Sequence, residues 1–84
     1  MKKMSVSKAR NILHGRKLNY WDMYHAKYIK PKNDPVLAEY NTGEMYGLEA
    51  VDYADDYNNE EIQALETLAD YHDKRGQRLE KIGL

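Results

Sequence analysis

Between Asp52 and Glu61 the chain reads DYADDYNNEE, which places five carboxylates in ten residues. Clustered carboxylates are hard oxygen donors for a divalent cation, and a close pair can share a proton in acid–base chemistry. Against a calcium-binding EF-hand loop, Asp56, Asn58 and Glu60 would stand at the first, third and fifth ligand positions. The sixth position, where a sharp turn requires Gly, is Glu61, and the twelfth, where a bidentate Glu belongs, is Thr67. The spacing fails at two essential positions, so no metal or other cofactor is expected.

Other chemistry finds less support. His14, His25 and His72 contain no i, i+4 pair and no HExxH pattern. His72 falls on an apolar helix face and reads as a packed, hydrogen-bonded residue, and His25 reads the same way. His14 reads as a helix-end cation. Ser5 and Ser7 look like helix caps rather than nucleophiles, because no nucleophile-elbow motif surrounds them. The five glycines are scattered and build no phosphate-cradling loop, and the absence of Cys removes thiolate chemistry and disulfides. The expectation is a protein without enzymatic activity.

Charge is the stronger signal. From Asp34 to Asp73 there are twelve carboxylates and no Lys or Arg. Residues 1–33 carry +8, this stretch −12 and residues 74–84 +3, which together give the formal net charge of −1. Such polarity concerns partners and association rather than fold. At helical spacing, Glu49, Asp52 and Asp56 are read as one stripe, opposite a face of Tyr46, Ala50, Tyr53, Ala54 and Tyr57, with Asp55 at its edge. Glu66, Asp70 and Asp73 form a second stripe. Regular carboxylates imitate a phosphate backbone, so Glu49, Asp52, Asp55, Asp56, Glu66, Asp70 and Asp73 are the candidate contacts to a partner protein with a basic surface.

The alternative is a small DNA- or RNA-binding regulator. Lys8, Arg10, Arg16, Lys17, Lys27 and Lys30 could neutralise phosphates while interleaved Tyr and Trp rings stack on bases. The outline of two short helices and a Gly-containing turn is that of a helix-turn-helix, but the second helix begins with few side chains able to read base edges. Pairing of the acidic and basic blocks, within one molecule or in a homodimer, would also account for the polarity. In composition alone, short, free of Cys and rich in Lys, Asn, Tyr and Glu, the chain resembles the small orphan proteins of phages and mobile elements, many of which are inhibitors; no motif carries that resemblance, and the expectation of a nucleic-acid-mimicking inhibitor rests on the acidic stripes.

These residues need positioning, and 84 residues suffice for one small domain, 1–84, with a thin core. Ser5 or Ser7 starts a helix that runs to about His14 and closes at Gly15. Asn19 caps a second, YWDMYHAKYIK, whose Tyr20, Trp21, Tyr24 and Tyr28 share one sector and which Pro31 ends. Residues 36–47 are ambiguous: Asn41-Thr42-Gly43 suits a β-hairpin, yet Gly43 could instead end a short helix from Pro35 to Tyr40. Helical period returns over Glu44–Tyr57, and Asn58 with Glu61 forms a capping box for a last helix that Gly76 would break. The expected fold is mainly α, three to four short helices around a Tyr/Trp-rich core, with α+β as the alternative. With no signal peptide and no apolar run of about 20 residues, a cytoplasmic location away from membranes is expected.

Overall fold

The computed structural model describes residues 4–24 and 34–82. Three of the four α-helices among the described residues start where the side chain of the residue just before them accepts from an open N–H group. Helix α1 spans Val6–Ile12, and the Ser5 hydroxyl accepts from the Lys8 N–H at 3.1 Å. After it the chain turns at Gly15, whose φ of +81° is the left-handed conformation that favours glycine. Helix α2 covers Trp21–Tyr24. The remainder of the expected second helix, including His25, Lys27, Tyr28 and Lys30, lies outside the described residues.

Helix α3 runs unbroken over Pro35–Asp52. Asp34 caps it by accepting from the Leu37 N–H at 2.9 Å, and Pro35 occupies the first turn, where a missing N–H costs nothing. This corrects the expectation for residues 36–47: neither a hairpin nor a helix end forms at Gly43. Thr42, drawn into the helix, satisfies its hydroxyl by donating to the Ala38 carbonyl at 2.7 Å. A 3-10 turn, Ala54–Asp56, leads to helix α4, Asn59–Ile82. Its capping box forms as expected: the Asn58 side chain accepts from the Glu61 N–H at 2.8 Å, and Glu61 returns to the Asn58 N–H at 3.0 Å. Gly76 does not break α4.

Helices α3 and α4 form an antiparallel pair, with α1 packed against α4 and α2 against α3. Glycines let the two long helices approach. A Cβ at Gly43 would stand 2.9 Å from the Ala69 carbonyl and would collide with an Asp73 carboxylate oxygen, and one at Gly76 would stand 3.1 Å from the Tyr40 ring. These residues, which look like breakers in one dimension, are contact points in three.

The fold is mainly α; the described residues contain four α-helices and no strand. Its buried centre comprises Ala9, Leu13, Leu18, Tyr24, Met45, Ala50, Ala64, Leu65 and Leu68. Tyrosines surround that centre: Tyr20 meets Tyr24 and Tyr53 edge-on at 5.9 and 5.3 Å, and Tyr46 stacks on His72 at 5.7 Å. Rings with a hydroxyl suit this boundary, since their apolar bodies pack inward while their polar tips reach carboxylates. No helix among the described residues is long and apolar enough to cross a membrane.

Candidate functional site

Glu49 is completely buried, the one charged residue in the described interior. Its Oε2 accepts from the Asn19 backbone N–H at 3.0 Å, the Asn19 side-chain amide at 2.8 Å and the Tyr57 hydroxyl at 2.6 Å. Its Oε1 accepts from the Tyr20 N–H at 3.1 Å. One carboxylate on α3 thereby fastens the chain entering α2 and the chain entering α4. Burial alone would push the Glu49 carboxyl up, but the donors from Tyr57, Asn19 and Tyr20 outweigh it and hold the group below its ordinary range. Burial, followed by this bond to Glu49, raises the Tyr57 phenol.

An outward role for Glu49 is therefore corrected. It does not share a solvent stripe with Asp52 and Asp56. At about 100° per residue it lies only about 60° from Tyr46 around the axis of α3, on the flank of the tyrosine face rather than opposite it. That angle was the available sequence signal. What it could not supply was the pair of donor residues Asn19 and Tyr20, which lie 30 and 29 residues earlier in the chain and join Tyr57, eight residues later.

Around this anchor stands an acidic corner. Asp52 ends α3, Asp55 and Asp56 form the 3-10 turn, and Glu60 lies in the first turn of α4; all four are exposed. Asp52 accepts from the Tyr20 hydroxyl, a bond that pushes the Tyr20 phenol up to about 12. Asp56 receives a long contact from the Asn19 amide at 3.4 Å. Among the described residues, no Lys or Arg makes an ion pair with these four carboxylates.

One cation holds the corner in shape without neutralising it. Arg16 pairs with Glu61, donates to the Asp56 carbonyl at 3.1 Å and lies over the Tyr57 ring at 4.5 Å. Glu61 is held below the ordinary carboxylate range, first by the Asn58 N–H and then by Arg16, against the effect of burial.

The second expected stripe divides. Glu66 and Asp70 are exposed on α4, and Asp70 pairs with Lys74 at 3.0 Å. Asp73 instead turns toward the α3–α4 seam at Gly43, where burial, followed by the nearby charge of Asp70, raises its carboxyl despite His72. The basic candidates also scatter. Arg16 is committed to the corner, Lys17 pairs with Asp22 at 3.2 Å, and Arg10 lies 5.5 Å from the centre of the Tyr71 ring. Lys8 is exposed on α1. Lys27 and Lys30 lie outside the described residues.

His72 is half-buried, with Nδ1 2.9 Å from Glu39, so it serves packing and hydrogen bonding. Among the described residues no group of three or more His, Asp or Glu side chains converges in a way that could hold a metal ion. No family model, curated protein or solved structure matches this chain.

Proposed function

We propose that this chain is a non-enzymatic binding protein whose acidic corner, Asp52, Asp55, Asp56 and Glu60, engages a basic surface on a partner protein. The partner surface is one that itself binds nucleic acid, which makes the chain a mimic of that ligand and an inhibitor. The observation that carries this reading is the contrast between the corner and its support. Glu49 and Arg16 use seven contacts to fix the local backbone and side chains, while the four outer carboxylates have no cation within ion-pair distance among the described residues.

The arrangement works against stability. Asp52 sits at the C-terminal end of α3, where the helix dipole disfavours an anion, and Asp55 and Asp56 add like charge beside it. A cationic partner relieves that repulsion and gains association rate from the field. The nucleic-acid-binding alternative is less well supported, because Arg10, Arg16 and Lys17 are each engaged within the molecule.

The test is capture from lysate at low salt by the wild-type chain and by an Asp52→Asn/Asp55→Asn/Asp56→Asn variant that melts at a similar temperature. The expected result is a set of basic proteins that the wild type retains, rising salt releases, and the variant loses. Identical captures by both would overturn the assignment. Salt-sensitive binding of duplex DNA by the isolated wild type would transfer support to the alternative.

A further inference from the structure

Along α4 a row of charged side chains changes sign at its middle. Glu66, Asp70, Lys74 and Arg78 recur every four residues, so they form one ridge, and all four are exposed. Beside this ridge runs an open groove of about 370 Å³ that also has Met4 and Val6, from the start of α1, and Tyr71 in its lining. Asp70 and Lys74 pair with each other, whereas Glu66 and Arg78 have no ion-pair partner among the described residues.

We propose that the ridge and groove form an isologous interface between two copies of the chain, with their α4 helices antiparallel. A two-fold axis pairs positions symmetrically about the middle of the row. Glu66 then faces Arg78 of the second copy, Asp70 faces its Lys74, and each pairing occurs twice. A parallel arrangement would set like charges against each other all along the row. A uniformly charged occupant fares no better: a phosphate backbone meets Glu66 and Asp70, and a basic peptide meets Lys74 and Arg78. The occupant must carry the same sign change in reverse, and an inverted copy of this chain does so by symmetry. Met4, Val6 and the Tyr71 ring supply apolar surface alongside the charges. The contact spans about 18 Å of helix at 1.5 Å per residue, so the dimer is weak and depends on salt. It uses neither the acidic corner nor the support around Glu49, so it stands or falls independently of the partner-binding reading.

Sedimentation equilibrium of the full chain tests this with Glu66→Arg, Arg78→Glu and the double variant. The wild type is expected to dimerise at about 0.01 M salt and to dissociate at about 1 M, as the screening length falls from about 30 Å to about 3 Å. Each single reversal disrupts both symmetry-related pairs and weakens dimerisation by at least about tenfold. The double swap restores it, because position 66 again meets an opposite charge at position 78 of the other copy. Within one molecule positions 66 and 78 are about 18 Å apart along the helix and cannot pair with each other; the internal pairs the swap does create, position 66 with Asp70 and position 78 with Lys74, already form in the single variants and so cannot mimic recovery. Unchanged melting temperatures would show that all variants remain folded. A wild type that stays monomeric at millimolar concentration and low salt would overturn the proposal, as would a double variant no better than the singles.

Discussion

Glu49→Gln removes a buried charge while keeping the shape of the side chain. The wild-type carboxylate accepts four hydrogen bonds and donates none. An amide can keep its oxygen toward Asn19 and Tyr57, but its NH2 then confronts the Tyr20 N–H, donor against donor. One unmet buried donor costs about 1–3 kcal/mol, and the three remaining bonds lose their charge assistance, for a total of about 2–4 kcal/mol. Glu49→Ala leaves every donor without its acceptor and opens a cavity, costing about 3–5 kcal/mol. A domain of this length has about 4–12 kcal/mol of stability in all. The Gln variant should therefore melt about 10–20 °C below wild type, and the Ala variant lower still.

The pH dependence separates this account from a mere packing defect. The Glu49 carboxyl lies below its ordinary value in the folded protein, so its charged form stabilises the fold. That stabilisation is complete above the unfolded value of about 4.3 and disappears as pH falls through the lower folded value. Urea unfolding followed by circular dichroism should show a constant gap between wild type and Glu49→Gln at neutral pH, closing in acid. Amide exchange should show protection at Asn19 and Tyr20 in wild type and its loss in the variant. Tyr57→Phe, which removes one donor, should couple to Glu49→Gln by more than about 0.5 kcal/mol in a double-mutant cycle. A Gln variant as stable as wild type at pH 7, or a gap that widens on acidification, would refute the reasoning.

Two further perturbations concern the α3–α4 seam. Gly43→Ala should destabilise the protein although Ala is the better helix former, because its Cβ meets the Ala69 carbonyl and Asp73. Gly47→Ala, whose Cβ would stand at an ordinary 3.9 Å from Ala69 Cβ, should stabilise it by up to about 1 kcal/mol; thermal melts that rank the two the other way would contradict the packing described. Asp73→Asn should raise the melting temperature at neutral pH. The folded Asp73 carboxyl is raised above its ordinary value by burial and by Asp70, so its stability contribution is present below the unfolded value of about 3.9 and lost as pH rises through the folded one. The variant's advantage should accordingly shrink in acid, and an advantage independent of pH would point to packing instead.

The parts of the fold that were legible in the sequence are those decided within a few residues. Ser5, Asp34–Pro35 and Asn58–Glu61 declare helix starts because capping is a local transaction between a side chain and N–H groups two or three positions on. Gly43 and Gly76 misled for the opposite reason. A glycine's local meaning is a turn, but both are surrounded by enough helix-forming sequence for α3 and α4 to continue, and what they provide is room for Asp73 and Tyr40 on the other helix. Glu49 was the larger error of placement. A carboxylate reads as surface unless its donors are known, and three of the four bonds here come from Asn19 and Tyr20, 30 and 29 residues away, which carry no charge to signal the pairing. Asp52, Asp55 and Asp56 are exposed, because the contacts from the Tyr20 hydroxyl to Asp52 and from the Asn19 amide to Asp56 form at the surface and not in the interior, as those of Glu49 do.

The uninterrupted acidic block therefore has several physical causes, and separating them narrows what a partner could recognise. Asp34 caps α3, Glu39 serves His72 and Arg75, Glu49 holds the interior together, and Glu61 belongs to a capping box and to Arg16. Asp73 is turned into the helix seam, and Asp70 is paired with Lys74. Removing these leaves no long stripe of evenly spaced charge such as a duplex backbone offers. Of the six that remain, Glu44 accepts from the Tyr24 hydroxyl at 3.0 Å and Glu66 stands apart on α4, while Asp52, Asp55, Asp56 and Glu60 lie together at one end of the α3–α4 pair. On the proposed reading, a compact cluster of that kind fits one short basic pocket or loop within a nucleic-acid-binding surface rather than the whole length of a duplex groove. Its partner should depend on a few closely spaced Arg or Lys residues, and its salt sensitivity should reflect about as many ion contacts as the corner has carboxylates.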